Sequence, residues 1–262
     1  MKIITFLTDF GTKSGYVAQM KGVASQITDA RLIDIAHDIT PHNIREGAFI
    51  LLTVVPYFPL GTVHVAVVDP GVGTERKGIC ITTKSHILIG PDNGLLMPVA
   101  HLLGDFTVYN ISNKKYTMNT VSNTFHGRDI FTAVAAHIIN GIPFEEIGEK
   151  IQDFVDLDFG TAEITEKSAT GKVIYIDGFG NVITNISGFQ LAKVLKYNTK
   201  VMAFIGDTTK EMPFVQSYGF AKKRQMLATI GSSNYLEIGV NQGNAAKRLK
   251  VKEDDEVKIL FN

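Results

Sequence analysis

Short apolar runs alternate with stretches of helical spacing through the first half of the chain. Ile3–Leu7 is a compact apolar run that meets the polar loop Thr8-Asp9-Phe10-Gly11, the pattern of a buried strand feeding a turn. Val17, Met20, Val23, Ala24 and Ile27 recur at helical spacing within Tyr16–Ile27, which predicts a helix. Leu32–Ala36 reads as a second strand. Ile44–Val55 reads as a second helix, closed by Pro56 and Pro59. Thr62–Val68 is a third strand, running into Asp69-Pro70-Gly71, and further strands follow at Gly78–Thr82 and Ile87–Ile89. Arg128–Ile139 carries Ile130, Phe131, Val134, Ala135 and Ile138 on one helical face and stops at Asn140-Gly141. Continuously apolar strands alternating with helices predict an α/β N-terminal domain with a largely parallel sheet.

The texture changes after about Phe159. Thr161–Gly171 is polar, and beyond it come short strands with frequent turn residues: Val173–Ile176, Val182–Ile186, Val201–Ile205, Met226–Ile230, Tyr235–Val240 and Val257–Phe261. Helical patterns are limited to Phe189–Leu195 and a short turn at Ala245–Leu249. This predicts a small antiparallel β-barrel-like C-terminal domain, with domains at 1–163 and 164–262.

Composition narrows the function classes. Across 262 residues, 26 Lys and Arg balance 26 Asp and Glu, so the cationic excess of a nucleic-acid or polybasic membrane binder is missing. The N-terminal apolar run is too short for a signal-peptide core, and no stretch reaches the ~18 apolar residues of a membrane span. A cytoplasmic protein is expected. The single cysteine, Cys80, lies in an apolar run and reads as a small buried hydrophobe.

Asp9, Asp69 and Asp92 each follow an apolar strand. In open parallel sheets ligands bind outside the carboxyl ends of the strands, so the three carboxylates either converge on one crevice or merely start turns. Asp69-Pro70-Gly71-Val72-Gly73-Thr74-Glu75-Arg76 allows close backbone approach to a ligand, but has neither P-loop nor dinucleotide spacing. His126 precedes the strong helix, where the dipole favours neutral imidazole. Phe179, between two glycines, is placed to stack on a flat heterocycle. No HxxxH or HxD spacing appears, so no metal site is assigned.

Taken in order, Thr8-Asp9-Phe10-Gly11, Asp69–Thr74 with Arg76, Pro91-Asp92-Asn93-Gly94, Phe125-His126-Gly127-Arg128-Asp129 and Asp177–Asn185 resemble the S-adenosyl-L-methionine hydroxide adenosyltransferase family. These adenosine-forming hydrolases are related to fluorinating and chlorinating enzymes. The resemblance implies an α/β domain followed by a barrel-like domain, a homotrimer with ligand held between subunits, and no cofactor. The ligands it implies are S-adenosyl-L-methionine and adenosine.

Residue by residue, the family's ribose-binding aspartate matches Asp9, and its water-handling trio matches Asp69, Arg76 and His126. The aspartate that holds the substrate's amino group matches Asp177. The asparagine that reads adenine matches Asn181, with Phe179 nearby, and Ser232 and Ser233 fall where the methionine carboxylate is held. Gly127 and Asp69 replace a serine and a tyrosine of the halogenating relatives, which favours water over halide. The expected mechanism follows from charge: a sulfonium leaves as a neutral thioether without acid assistance, Asp69 orients the water, and His126 takes its proton. Two alternatives are a metal-dependent hydrolase built on the aspartate loops and a non-catalytic adenosyl-ligand binding protein.

Overall fold

In the computed structural model, which describes residues 1–261, the N-terminal apolar run forms β1 (Ile3–Thr8), buried at every position. It is followed by α1 (Tyr16–Ile27), β2 (Arg31–Ala36), α2 (Ile44–Val54), β3 (Val63–Val67), β4 (Gly78–Thr82), β5 (Ile87–Pro91), α3 (Met97–Leu103), β6 (Thr107–Asn110), α4 (Ala133–Ile139) and β7 (Lys150–Ile151). The seven strands form one sheet in the order β2-β1-β3-β5-β4-β6-β7. β2, β1, β3 and β5 pair in parallel, whereas β4, β6 and β7 are added antiparallel. The sheet is therefore mixed, and parallel only over four strands. The link from Thr82 to Ile87 is too short for a crossover, so β4 must turn back against β5.

One consequence positions chemistry. β1, β3 and β5 are adjacent and parallel, so their carboxyl ends, followed by Asp9, Asp69 and Asp92, open on the same edge. The core beneath is made by Phe6, Met20, Val65, Ile89, Phe131 and Val134, among others. The predicted Arg128–Ile139 helix begins differently from expectation. Gly127–Thr132 is a π-helical turn that hands over to α4, a local widening often found at functional sites.

The second unit of the chain starts at Phe159. It contains β8 (Glu163–Ile164), β9 (Ser168–Ile176), β10 (Val182–Ser187), α5 (Gly188–Leu191), β11 (Lys200–Ile205), β12 (Thr208–Pro213), β13 (Met226–Ile230), β14 (Tyr235–Val240), α6 (Ala245–Leu249) and β15 (Glu256–Leu260). Strands run in the order β12-β11-β15-β9-β10-β14-β13, with β8 paired to β9, and every ladder is antiparallel. The Val215 N–H donates to the Ala228 carbonyl at 2.9 Å, beside a bridge from Phe214 to Ala228. The two edge strands thus meet, and the sheet is nearly closed around Val173, Val182, Phe214, Leu236, Ile238 and Ile259. The helix predicted at Phe189–Leu195 is only the short α5. β12 escaped the sequence pattern because Thr208-Thr209-Lys210-Glu211 keeps little apolar surface, and only Met212 in that strand is buried.

Among the described residues no helix is long and apolar enough to cross a membrane. Cys80 is buried, and burial pushes its thiol upward, away from the reactive thiolate.

Candidate active site

Asp69 and Arg76 come from one loop, and the fold makes them a pair. The Arg76 Nε donates to Asp69 Oδ1 at 2.9 Å and Oδ2 at 3.1 Å, and Nη2 donates to Oδ2 at 2.5 Å. Both side chains are largely shielded, at 11% and 5% exposure, so the guanidinium is held as a two-pronged fork. The Phe131 ring lies under the guanidinium, 5.2 Å from its carbon. Above β3, Asn93 Nδ2 donates to the Val68 carbonyl at 2.8 Å and so ties down the strand end that carries Asp69.

His126 joins this pair from the loop before the π-helical turn. Arg76 Nη2 lies 2.9 Å from His126 Nδ1. A guanidinium has only donors, so Nδ1 must be the accepting, unprotonated nitrogen, and a neutral imidazole then carries its proton on Nε2. Burial first, then the Arg76 charge, lower the His126 pKa, against the opposing pull of Asp69, Asp129 and the Ser122 backbone. Close approach of the two loops depends on Gly73, which has φ of +77° and whose Cβ, if present, would collide with the Asn123 carbonyl. Asp129, almost fully buried, accepts from the Ser122 N–H at 2.8 Å and from Arg128 Nε at 2.6 Å, which staples the loop that carries His126.

Asp9 stands at the end of β1, where Oδ2 accepts from the His42 N–H at 2.9 Å. The next residue, Phe10, packs edge-on against Phe125 with ring centres 5.6 Å apart. Its ring also reaches Gly127, where a Cβ would sit 3.4 Å from Cζ. The Asp9 loop and the His126 loop are therefore neighbours. Asp92 does not share that openness. Its Oδ1 accepts from the Val155 N–H at 2.8 Å, and burial raises its pKa. The third aspartate thus does something neither reading foresaw: it ties the end of β5 to the segment at Val155, 63 positions along the chain.

In the second unit, Asp177 closes the β9–β10 turn on itself. Oδ1 accepts from the Phe179 and Asn181 N–H groups, each at 2.9 Å, and Oδ2 accepts from Asn181 Nδ2 at 2.9 Å. This clamp leaves Phe179 80% exposed and Asn181 buried. Both line a depression of about 500 Å³ whose other walls are Tyr218, Val240, Asn241, Gln242 and Gly243. Ser232 and Ser233 lie in the β13–β14 turn, closed by the Gly231 N–H to Tyr235 carbonyl bond at 2.9 Å. β10 and β14 pair Val182 with Ile238 and Ser187 with Tyr235. The Asp177–Asn181 turn and the serine turn thus sit at opposite ends of this ladder.

Comparison with known proteins identifies the chain. Residues 4–148 match the model of the SAM hydroxide adenosyltransferase N-terminal domain, and residues 171–258 match that of the C-terminal domain. The chain belongs to the SAM hydroxide adenosyltransferase family. It is 42% identical to the (R)-S-adenosyl-L-methionine hydrolase of Methanocaldococcus jannaschii, over 100% of this chain and 97% of that one. It is 28% identical to a fluorinase of Actinopolyspora mzabensis, over 98% and 96% of the two chains. The crystal structure of an uncharacterized conserved protein from Thermotoga maritima superposes with a TM-score of 0.92 at 37% identity, covering 98% of this chain and 100% of that one.

For this SAM hydroxide adenosyltransferase family member, sequence reasoning singled out residues that the fold brings into two groups. Asp69, Arg76, His126, Gly127 and Asp9 gather in the first unit. Asp177, Phe179 and Asn181 gather at one end of β10 in the second, apart from Ser232 and Ser233. It missed Asn93 as the tie beneath Asp69, and it missed Tyr218 as a wall of the depression beside Phe179. Tyr218 Oη donates to Glu237 Oε1 at 2.5 Å across 19 positions of sequence, a spacing that matches no motif. Among the described residues no group of three or more His, Cys, Asp or Glu side chains is arranged to hold a metal ion.

Proposed function

We propose that this protein hydrolyses S-adenosyl-L-methionine to adenosine and L-methionine, the reaction carried in the name of its (R)-S-adenosyl-L-methionine hydrolase relatives. The observation that carries the reading is the Asp69–Arg76–His126 cluster at the strand ends, one loop away from Asp9. A water oxygen attacks C5′ of the ribose as the C5′–S bond breaks. The bonding pair goes to sulfur, which turns from a sulfonium cation into the neutral thioether of methionine. The departing group needs no proton, so the protein's task is to aim and desolvate one water.

In this reading Asp69 accepts a hydrogen bond from the water and then its proton, which passes to solvent. Arg76 holds Asp69 in place. His126 was expected from sequence to take that proton, but its Nδ1 is already occupied by the Arg76 N–H. Protonation there would set imidazolium against guanidinium. His126 is therefore assigned as a positioning residue for Arg76. Asp9 accepts from the ribose hydroxyls, and Gly127 leaves room for water beside the Phe10 ring. Phe179 and Asn181 take adenine, Asp177 the α-ammonium, and Ser232 and Ser233 the carboxylate. We place the working enzyme in the cytoplasm, without cofactor, nucleic acid or membrane. It is a homotrimer in which the first unit of one copy and the second unit of a neighbour share one ligand.

Chromatography of a reaction with S-adenosyl-L-methionine tests this. Adenosine and methionine should appear in equal amounts, with and without chelator. Asp69→Asn should keep substrate affinity and lose turnover. An intact substrate after long incubation, or an Asp69→Asn variant with full turnover, would overturn the assignment.

A further inference from the structure

β2 carries an extra residue just where it reaches the Asp9 loop. Its ladder with β1 sets Phe6 against Asp34 and then slips, so that Leu7 faces Ala36. Ile35 is the residue left over, a bulge that changes which side chains share a face. Asp34 and His37 are three positions apart and would otherwise lie on opposite faces of an extended chain. Here His37 Nε2 stands 2.9 Å from Asp34 Oδ1. The same slip sets His37 beside Thr8, the last residue of β1, with Thr8 Oγ1 2.9 Å from His37 Nδ1. Both residues are buried, Thr8 completely.

Charge settles the direction of this chain of contacts. Lys21 Nζ, from α1, donates to Asp34 Oδ2 at 2.6 Å. Burial pushes the Asp34 carboxyl up, but the Lys21 and His37 contacts outweigh it and hold it below its ordinary value. A carboxylate therefore faces Nε2. It would repel a lone pair there, so in the neutral ring Nε2 carries the proton and Nδ1 accepts from the Thr8 hydroxyl. Among the described residues Nε2 finds no regular hydrogen bond, so the bond to Thr8 is what orients the ring. With its proton directed at Nδ1, Thr8 Oγ1 turns its lone pairs to the loop and accepts from the Phe10 N–H at 3.3 Å. The His37 carbonyl accepts from the Gly11 N–H at 2.7 Å. The two backbone N–H groups that follow Asp9 thus both hang from His37, one through Thr8 and one directly.

We infer that His37 is a positioning residue that acts through Thr8 and its own carbonyl on the Asp9 loop, aiming the Asp9 carboxylate at the two ribose hydroxyls. The inference rests on the S-adenosyl-L-methionine reading above, which gives Asp9 to the ribose, and deepens it.

Calorimetric titration of the full chain with adenosine and with 2′,3′-dideoxyadenosine tests it, because the second ligand lacks the hydroxyls and keeps adenine and the sugar ring. Wild type should prefer adenosine by at least about tenfold, the scale of a lost hydrogen bond to a charged group. Thr8→Val exchanges the hydroxyl for a methyl of similar shape, and His37→Leu removes the acceptor at Nδ1. Each should weaken adenosine by at least about fivefold and leave dideoxyadenosine within about twofold, since only the bonds to the carboxylate are disturbed. His37→Asn keeps an acceptor close to the place of Nδ1 and should recover most of the loss. A loosened fold would weaken both ligands alike. That result, or an unchanged adenosine affinity in Thr8→Val, would overturn the inference, and an asparagine variant no better than the leucine one would count against it. Thr8→Val decides the matter if His37→Leu does not fold. A wild-type protein with equal affinity for the two ligands would refute the ribose role of Asp9, and the inference with it. A wild-type protein that prefers adenosine but leaves S-adenosyl-L-methionine intact would refute the hydrolase reading alone.

Discussion

His126→Asn separates two roles for the imidazole. In the folded protein Nδ1 accepts from Arg76 Nη2 at 2.9 Å, and the asparagine Oδ1 can stand close to where Nδ1 stood. The variant keeps an acceptor for Arg76 and removes every titratable atom. His126 has right-handed helical backbone angles, φ −61° and ψ −25°, which asparagine adopts without strain, and the smaller side chain meets no clash. If the imidazole only positions Arg76, the asparagine acceptor retains the bond, and even its complete loss to the guanidinium costs at most about 1.5–3 kcal/mol. At 1.36 kcal/mol per decade, that caps the fall in kcat at about 150-fold and predicts about tenfold or less while the acceptor is kept. If the imidazole takes the water's proton, its removal should cost about 10²–10⁴-fold. Steady-state hydrolysis of S-adenosyl-L-methionine at neutral pH distinguishes the two. There the wild-type imidazole is neutral, because burial and Arg76 hold its pKa below the ordinary value. A fall of a thousandfold or more in kcat, with KM unchanged and the melting temperature preserved, would refute the positioning role.

Gly78→Ala reaches the same guanidinium from below. A Cβ there would lie 2.8 Å from Phe131 Cε1, and Phe131 is fully buried with no room to retreat. The overpacking should cost about 1–3 kcal/mol in denaturant unfolding and lower kcat by tilting the ring beneath Arg76; an unchanged midpoint and rate would contradict it. A second expectation concerns acid. His64 is buried between Thr5 Oγ1 at 2.7 Å and His86 Nδ1 at 3.3 Å, and burial first, then His86, lower its pKa to about 3. The unfolded chain takes up a proton near the ordinary value while the native state does not, so stability is full above about pH 6.5 and declines as pH falls towards 3. By pH 5 this one group should remove about 2 kcal/mol. Unfolding curves at pH 7 and pH 5 should show a smaller drop for His64→Gln, and an equal drop in both proteins would reject the assignment.

What was legible in the sequence follows from which forces act locally. Strands buried on both faces must be apolar throughout, so β1 and β3 stood out, and with them the aspartates at their ends. Pairing direction is not local: β4 and β5 look like their parallel neighbours, and only the short link from Thr82 to Ile87 turns β4 round. The cluster of Asp69, Arg76 and His126 was readable as a set of residues, but the tautomer of His126 was not. A tautomer is chosen by the partner at the other nitrogen, and that partner arrives across 50 positions of chain. Asp92 looked equivalent to Asp9 and Asp69 until the Val155 N–H claimed its oxygen. Glu237 was invisible for the converse reason. An acidic residue alternating with apolar ones on a strand reads as a solvated outer face, and nothing in Tyr235–Val240 announces that Tyr218 folds over it. The residues hardest to read were thus those whose meaning depends on what covers them.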